Sequence, residues 1–290
     1  MNPGSTSTPQ LRPLPIRVRL YPRETTASFI LRLERRNHLP SGILKGLLPR
    51  AGEPWGESLG VLTCHDPGTL MLAMPQLGAY RTTASPLHKL PAGPLPRITG
   101  FACNHCALSR TGDSRIEIYR THEQVLCPIH RRWTGHGTDS PDGQPGLGRC
   151  PEITAANRHH RNLISRHGRP CVRTAFHISS HINYRWFEQY RHFGPFTDRY
   201  RALISGTRSS CILEPAALWA ALYPPTIELA ALIASARWAE IAHSQHPGPF
   251  LDRVGESITD GWHPRGYQDP LQHWMQEDWR PGFTGQDTLT

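Results

Sequence analysis

The chain contains the stretch Cys103-Asn104-His105-Cys106 and, after twenty further residues, the stretch Cys127-Pro128-Ile129-His130. In each stretch two residue types that bind metals are separated by two residues. This spacing is typical of a tight backbone turn, a knuckle, that directs both side chains at one ion. Two knuckles supply the four ligands of a tetrahedral structural site. The pattern therefore predicts one structural Zn²⁺ ion bound by Cys103, Cys106, Cys127 and His130.

The spacing leaves one plain alternative open, which is three ordinary buried cysteines and a surface histidine. Other histidines lie nearby in the sequence. His105 adjoins Cys106 in the wrong register, and neither His122 nor His136 has a partner at knuckle spacing. His130 is therefore the best fourth ligand. Because all four positions would be filled by protein, no place remains for a reactive water, and we expect a structural ion.

The residues between the two knuckles favour a β-hairpin. Thr111-Gly112-Asp113 is a turn sequence, and the stretch 115–119 alternates apolar and polar residues as a strand does. Val125 and Leu126 lead back to the second knuckle. We therefore expect a zinc-binding hairpin within residues 97–133, and a fold that is mainly α with this small zinc-ribbon-like β-hairpin insert.

Composition supports a folded chain with many short elements. The 290 residues suffice for one large or two modest domains, and the 28 prolines and 25 glycines imply many breaks. We expect a disordered start at 1–14, an N-terminal region at 15–150 that includes the hairpin, a helical domain at 151–245, and an irregular or disordered tail at 246–290.

Helix signals are clearest at a few places. Thr25 or Thr26 can cap a helix that runs to about Asn37, and Pro151 opens a helix that Gly168 ends. Shorter helices are expected at 43–48 and 70–74, and a longer one from Pro170 to about 193. In the apolar stretch 215–242 we expect two helices, divided at Pro224-Pro225, of which the second is the core helix.

The net charge of +9, carried mostly by arginine, suits contacts with phosphate groups. Arg131 and Arg132 follow the last predicted ligand, where such folds often begin a helix, and Arg158 and Arg161 lie on the polar face of the helix that starts at 151. These four are the predicted DNA-binding residues. A solvated face, or a genome that favours arginine codons, explains the same charge equally well.

The helices within residues 25–48 are joined by a link of plausible length for a helix-turn-helix. Two packed helices without DNA contact, or a docking face for a protein partner, remain equally open for this pair.

The knuckle pair resembles the zinc-binding region of the TniQ family of transposition proteins. That family has a Cys-x-x-Cys, a short basic hairpin and a Cys-Pro-x-His, as at Cys103/Cys106 and at 127–130 here. Its N-terminal pattern of prolines, an acid and a Ser-x-x-x-Arg helix start is matched by Pro15, Pro22, Glu24, Ser28 and Arg32. The resemblance covers about residues 13 to 170 and is strongest to the short actinobacterial type, in which Arg-Arg-Trp follows the last ligand.

The resemblance implies an adaptor in DNA transposition that links target DNA, or a complex bound to it, to the transposition machinery. Its implied partners are DNA, the transposition ATPase or another protein, an RNA-guided effector complex, and a second copy in a homodimer. Many family members carry a further Cys-x-x-Cys, whereas this chain has the isolated Cys150 and Cys171. A second zinc ion is therefore not expected.

Other functions were weighed against this one. The sequence has no Gly-x-x-x-x-Gly-Lys-Ser/Thr, no Gly-x-Ser-x-Gly, no His-Glu-x-x-His and no zinc-deaminase pattern, so we expect no enzyme. A zinc-containing DNA-binding regulator or defence component without a transposition role remains possible on the same residues. So does a pure protein-interaction module.

The start of the chain is rich in proline, serine and threonine and lacks the apolar segment of a signal peptide. The richest apolar stretch, residues 215–242, is interrupted by prolines and charges. We therefore expect a cytoplasmic protein without a membrane span, whose close cysteine pair binds metal and forms no disulfide.

Overall fold

The computed structural model describes residues 11–47, 55–78, 98–190, 194–205, 214–258 and 269–276. Within them the fold is mainly helical with a few short antiparallel strands, as the sequence predicts. Most of the expected disordered start, residues 1–10, lies outside the described residues. The described part of that start is bound to the folded chain at one point, where the backbone N–H of Leu14 donates to the Leu62 carbonyl at 2.9 Å.

The chain divides into two compact units, Met1–Gln144 and Pro145–Thr290, close to the predicted boundary at residue 150. The helices of unit 1 are α1 (Thr26–Arg36), α2 (Ile43–Leu47), α3 (Trp55–Thr63), α4 (Pro67–Ala73), α5 (Pro75–Gly78) and α6 (Asn104–Thr111). Thr25 caps α1 by accepting from the Ser28 N–H, and Asn37 ends it, so the prediction for this helix is confirmed. The α1 side chains Phe29 and Leu33 lie in an apolar core with α3 and α4.

Three polar residues of the N-terminal pattern meet in the interior of unit 1. The Arg32 guanidinium donates to both Glu24 carboxylate oxygens, at 3.0 and 2.6 Å, and the Ser28 hydroxyl donates to the same carboxylate at 3.0 Å. Arg32 also donates to the Arg19 carbonyl. Glu24 and Arg32 are almost completely buried. Burial raises the pKa of the Glu24 carboxyl, and the hydrogen bonds and charge of Arg32 oppose that shift.

The strands of unit 1 form two small sheets instead of the predicted hairpin. Strand β1 (Ile98–Phe101) pairs antiparallel with β2 (Glu117–Arg120), while β3 (Leu126–Cys127) pairs with β4 (Arg132–Trp133). The first sheet therefore pairs the residues before the first knuckle with the predicted strand. Helix α6 lies between these two strands in the sequence. The predicted hairpin paired the strand near residues 115–119 with the residues that lead to the second knuckle, and this pairing was wrong. Residues 104–111 form a helix, and residues 98–101 are the partner strand of β2.

The first sheet is also joined to α1. The Ser28 hydroxyl, which donates to Glu24, accepts a hydrogen bond from the Glu117 N–H at 3.0 Å. The Thr25 N–H donates to the Glu117 carbonyl, and Glu24 forms an isolated antiparallel bridge with Ile118. The buried polar cluster thus fixes the strand β2 to the start of α1.

Residues 16–20 alternate with period two, which favours a short strand, but they form no strand in the structure. The second helix of the helix-turn-helix considered above is α2, whose five residues are the last that the structure describes before residue 55. The helix-turn-helix therefore stays a prediction.

Unit 2 is a helical core. Its helices are α7 (Pro151–His167), α8 (Arg169–Tyr190), α9 (Gly194–Ile204), α10 (Pro215–Ala234), α11 (Ala236–Ala242), α12 (Gly248–Ser257) and α13 (Pro270–Gln276). The predicted ends of α7 are confirmed, with Pro151 in its first turn and Gly168 at its C-terminus. Helices α7, α8, α9 and α12 all pack against α10.

Helix α10 continues without a break through the pair Pro224-Pro225, where we expected it to be divided. Pro225 has no N–H to give to the carbonyl of Ala221 one turn earlier. The Arg199 Nε donates to that carbonyl instead, at 2.9 Å, so the lost backbone hydrogen bond is replaced by a side chain from α9. The break falls at Ser235, between α10 and α11. The stretch 215–242 is therefore two helices, but with a different boundary.

The expected irregular tail contains two helices, α12 and α13. Their apolar side chains Phe250, Val254 and Leu271 are fully buried in the core of unit 2. The buried Asp269 carboxylate fixes the start of α13 by accepting from the Trp186 indole at 3.1 Å and from its own helix. The prediction was wrong here because the short apolar spacing was not recognised: Phe250 and Val254 are four residues apart and lie on one buried face of α12. Residues 259–268 and 277–290 lie outside the described residues.

Within the described residues, α10 is the one helix long and apolar enough to cross a membrane by length and composition. Of its most apolar window, 72% is buried among the other helices of unit 2. This burial is the pattern of a core helix. Helix α10 contains the first part of the core helix that the sequence predicts, but it begins ten residues earlier, at Pro215, and ends at Ala234.

Candidate metal centre

The four predicted ligands come together in unit 1. The Nδ1 atom of His130 lies 3.5 Å from Cys103 Sγ, 3.2 Å from Cys106 Sγ and 3.7 Å from Cys127 Sγ. The sulfurs of Cys106 and Cys127 are 3.7 Å apart, and all four ligand atoms lie within 4.8 Å of one another. This group could hold one metal ion.

The distances fit a tetrahedral ion. In a tetrahedral site, ligand bonds of about 2.3 Å for Zn–S and about 2.0 Å for Zn–N separate two sulfurs by about 3.8 Å and a sulfur from a nitrogen by about 3.5 Å. The separations around His130 and between Cys106 and Cys127 are close to those values. The Nδ1 atom of His130, and not Nε2, faces the three sulfurs.

Each knuckle is shaped by its local backbone. Cys103 occupies the N-cap position of α6, and its carbonyl accepts from the Ala107 N–H, so Cys106 falls in the first turn of that helix. In the second knuckle Cys127 ends β3, and its sulfur accepts a hydrogen bond from the His130 N–H at 3.4 Å. The chain then reverses through Arg131, whose φ of 46° is left-handed, and enters β4.

Gln144 holds the first knuckle in place. Its amide nitrogen donates to the Ala102 carbonyl at 2.8 Å, and its amide oxygen accepts from the Asn104 N–H at 3.0 Å. The side chain is 1% exposed. Gln144 thus binds the backbone on both sides of Cys103. No pattern in the sequence predicted this role, because the residue lies in a Gly/Asp/Pro-rich segment without periodicity.

Two side chains lie beside His130, the exposed member of the group. The rings of His105 and His130 stack with centroids 5.2 Å apart, and the Arg132 guanidinium lies 3.3 Å from His105 Nε2. Arg132 also donates to the Gln144 carbonyl at 2.5 Å. His105 is therefore a neighbour of the ligand group and not a member of it, as its register predicts.

Burial and mutual repulsion disfavour thiolates at this site in the absence of a cation. Burial is the largest cause that raises the pKa of Cys103, and it also raises the pKa of Cys106 to about 12, with further contributions from the neighbouring thiols. A bound cation reverses this balance, since it stabilises the thiolates directly and displaces their protons.

The predicted DNA-binding residues have different surroundings. Arg131 is exposed but lies in a turn, and Arg132 lies in a strand and bonds to Gln144 and His105, so the predicted helix start at these two residues was wrong. The short loop back into β4 leaves no room for a helix there. Arg158 and Arg161 are both exposed on α7 of unit 2, as expected.

The arginines of α1 are a further cluster of positive charge that could contact DNA, but all three are engaged within the protein. Arg32 is buried, Arg35 pairs with Asp113 at 2.8 Å, and Arg36 donates to the Gly112 carbonyl. The described cysteines outside the metal group, Cys64, Cys150 and Cys171, are free thiols. Cys211 lies outside the described residues.

Comparison of the chain with protein-family models, with curated proteins and with solved structures gave no match.

Proposed function

We propose that this protein is a TniQ-like adaptor in DNA transposition, built around one structural Zn²⁺ ion. The observation that carries the proposal is the connection between the two parts of the sequence that resemble that family. Glu24, Ser28 and Arg32 form one buried cluster, and that cluster bonds to Glu117 in the strand that leads to the second knuckle. Residues far apart in the sequence thus serve one structural purpose.

The ion would be held by Cys103, Cys106, Cys127 and His130. Three thiolates and one imidazole are a ligand set typical of structural zinc. Four protein ligands fill the tetrahedron, so the ion has no position for a substrate or a reactive water. Its role is to stabilise the fold of the 98–133 segment, and the protein acts by binding and not by catalysis.

DNA is the proposed partner of unit 2. Arg158 and Arg161 are three residues apart on α7, so both guanidiniums can reach the phosphates of one groove edge. Neither guanidinium makes a hydrogen bond or an ion pair with any residue that the structure describes. Such contacts position a protein on DNA without reading its sequence, and they weaken as salt rises.

A salt titration on duplex DNA tests this contact. We expect binding of the full chain to weaken with salt, and the Arg158→Gln/Arg161→Gln variant to reduce the slope of log K against log[salt] by about 1.8. Arg201→Gln, an exposed arginine on α9, serves as the matched control and should leave the slope unchanged. Absence of duplex binding at low salt would refute the DNA contact.

The transposition role needs a separate test. The adaptor proposal predicts a transposase gene and an AAA+ ATPase gene beside this one, and direct binding of the purified ATPase to the full chain. Duplex binding without ATPase binding would support a regulator or defence component instead. ATPase binding without duplex binding would support a pure protein-interaction module instead.

A further inference from the structure

Unit 2 contains a groove of about 410 Å³ formed by four helices, a volume within the range of roughly 300–1,000 Å³ typical of small-molecule sites. Helices α7 and α12 contribute residues to it, and both pack against α10, which lines the groove together with α11. The apolar part of the lining consists of Leu163, Ala231, Leu232 and Trp238.

Basic side chains from two different helices line the groove. Arg166 and His167 lie in the last turn of α7, and Arg253 lies on α12. Across the part of the chain that the structure describes, the side chains of Arg166 and His167 make no hydrogen bond and no ion pair. Arg253 makes a loose pair with Glu256, at 3.6 Å, with both side chains more than half exposed, so this pair holds it weakly.

The lining also contains one carboxylate, that of Glu228, which lies 3.3 Å from the Nδ1 atom of His159. The two guanidiniums outnumber this carboxylate, so the groove keeps a net positive charge. A ligand of matching chemistry carries negative charge beside an apolar, flat centre.

Trp238 supplies the surface for that flat centre. Its side chain is half-buried against the core, so the ring is held in place while part of it remains exposed. The Arg237 guanidinium carbon lies 5.7 Å from the ring centroid. An aromatic ring next to an arginine is a favourable stacking surface for a nucleobase, since both π-stacking and cation–π interactions contribute.

We propose that this groove binds one unpaired nucleotide of a single-stranded nucleic acid, with its base stacked on Trp238 and its two flanking phosphates contacted by Arg166 and Arg253. The two arginines belong to separate helices, so each can contact a different phosphate. A single-stranded nucleic acid therefore fits the groove better than a free mononucleotide. A mononucleotide offers one phosphate group, whereas a nucleotide within a strand has a phosphate on each side.

The groove is separate from the duplex contact proposed above. Neither Arg158 nor Arg161 lines the groove. Successive residues of a helix are 100° apart, so Arg161 lies about 140° and Arg158 about 80° around α7 from Arg166. The nucleotide site can therefore exist whether or not Arg158 and Arg161 bind duplex DNA, and variants can test the two proposals independently.

The test is the binding of the full chain to a fluorescent oligothymidylate of about ten nucleotides, a length within the usual site sizes of single-strand binders. Trp238→Ala should weaken binding by about 5- to 100-fold without changing the salt slope, because stacking releases no counterions. Arg166→Gln and Arg253→Gln should each make the slope shallower by about 0.7. Trp238→Phe should restore part of the affinity.

Arg201→Gln is the matched control and should bind as the native chain does. If the Arg166 and Arg253 variants keep the native salt slope, or if a folded Trp238→Phe and a folded Trp238→Ala bind as the native chain does, the site is refuted. If thymidine monophosphate competes as well as the oligomer at equal nucleotide concentration, the strand assignment is refuted. Loss of duplex binding alone in Arg158→Gln/Arg161→Gln leaves the groove supported.

Discussion

Glu24 and Arg32 are a buried ion pair whose two charges depend on one another. Glu24 is 0% and Arg32 1% exposed, and the carboxylate accepts from Arg32 and Ser28 while Arg32 also binds the Arg19 carbonyl. Desolvation of two charges is costly, and it is offset only when every partner is present. The sequence pattern marked these residues by resemblance, but periodicity alone would have placed Arg32 on a solvent face.

From this buried pair we predict a large contribution to the free energy of unfolding of unit 1. Arg32→Leu should lower the free energy of unfolding of unit 1 by about 3–5 kcal/mol, because it leaves the Glu24 carboxylate buried without its cation. Glu24→Leu/Arg32→Leu should cost much less than the sum of the two single variants. Hydrogen exchange of the α1 amides measures these energies.

Arg35→Leu is the matched control on the same helix. Its ion pair with Asp113 is half exposed on the arginine side, so it should cost at most about 1 kcal/mol. Equal losses from Arg32→Leu and Arg35→Leu, or additive losses in the double variant, would show that the buried pair has no special role.

Gln144 makes a prediction for metal affinity. In Gln144→Glu the donor to the Ala102 carbonyl is lost and a negative charge is placed beside a group of thiolates. Because such outer contacts orient the ligands, we expect Zn²⁺ to bind about 10- to 100-fold more weakly, as measured by competition with a chromophoric chelator. Gln189→Glu, an exposed change in unit 2, should not alter the affinity. Native affinity in Gln144→Glu would disprove the positioning role.

Among the elements, those with strong end signals were predictable and those defined by distant partners were not. Helix α7 starts and ends where Pro151 and Gly168 predict. Strand β2 was found by its alternation, but its partner β1 was not, because pairing depends on contacts outside the local sequence. The continuity of α10 through its prolines depends on Arg199, a residue from another helix.

Helix α13 makes a prediction about pH. The His243 Nδ1 lies 3.0 Å from the carbonyl of Met275 in α13, and the His243 ring packs edge-on against Trp274. Burial is the larger cause acting on the pKa of His243 and lowers it, while the bond to Met275 opposes the shift. The unfolded chain therefore binds more protons near pH 6, and the contribution of this histidine to stability falls as the pH drops below its unfolded pKa of about 6.5.

Urea unfolding of unit 2 at about pH 7.5 and about pH 5.5 measures this effect, since these values lie on either side of the ordinary histidine pKa. The loss of stability on acidification should be smaller in His243→Gln than in the native chain. His246→Gln, an exposed neighbour, should retain the native pH dependence. An unchanged pH dependence in His243→Gln would contradict the linkage between His243 and α13.

For the whole molecule, the mainly helical class and the group of four residues that could hold a metal ion followed from the sequence, since both depend on short patterns. The chain divides into two units after Gln144, whereas the sequence led us to expect a division after residue 150. The groove beside Trp238 could not be predicted, because it is lined by residues from α7, α10, α11 and α12 that are up to about a hundred positions apart. Sites of this kind become visible only once the helices are packed.

The central claim is that Cys103, Cys106, Cys127 and His130 bind one structural Zn²⁺ ion. The most direct measurement is the metal content of the purified full chain, by native mass spectrometry supported by elemental analysis. We expect one zinc per chain, its loss together with destabilisation of unit 1 in Cys106→Ala, and full retention in the control Cys171→Ala. A native chain without zinc, or a Cys106→Ala variant that still holds one zinc per chain, would contradict the account.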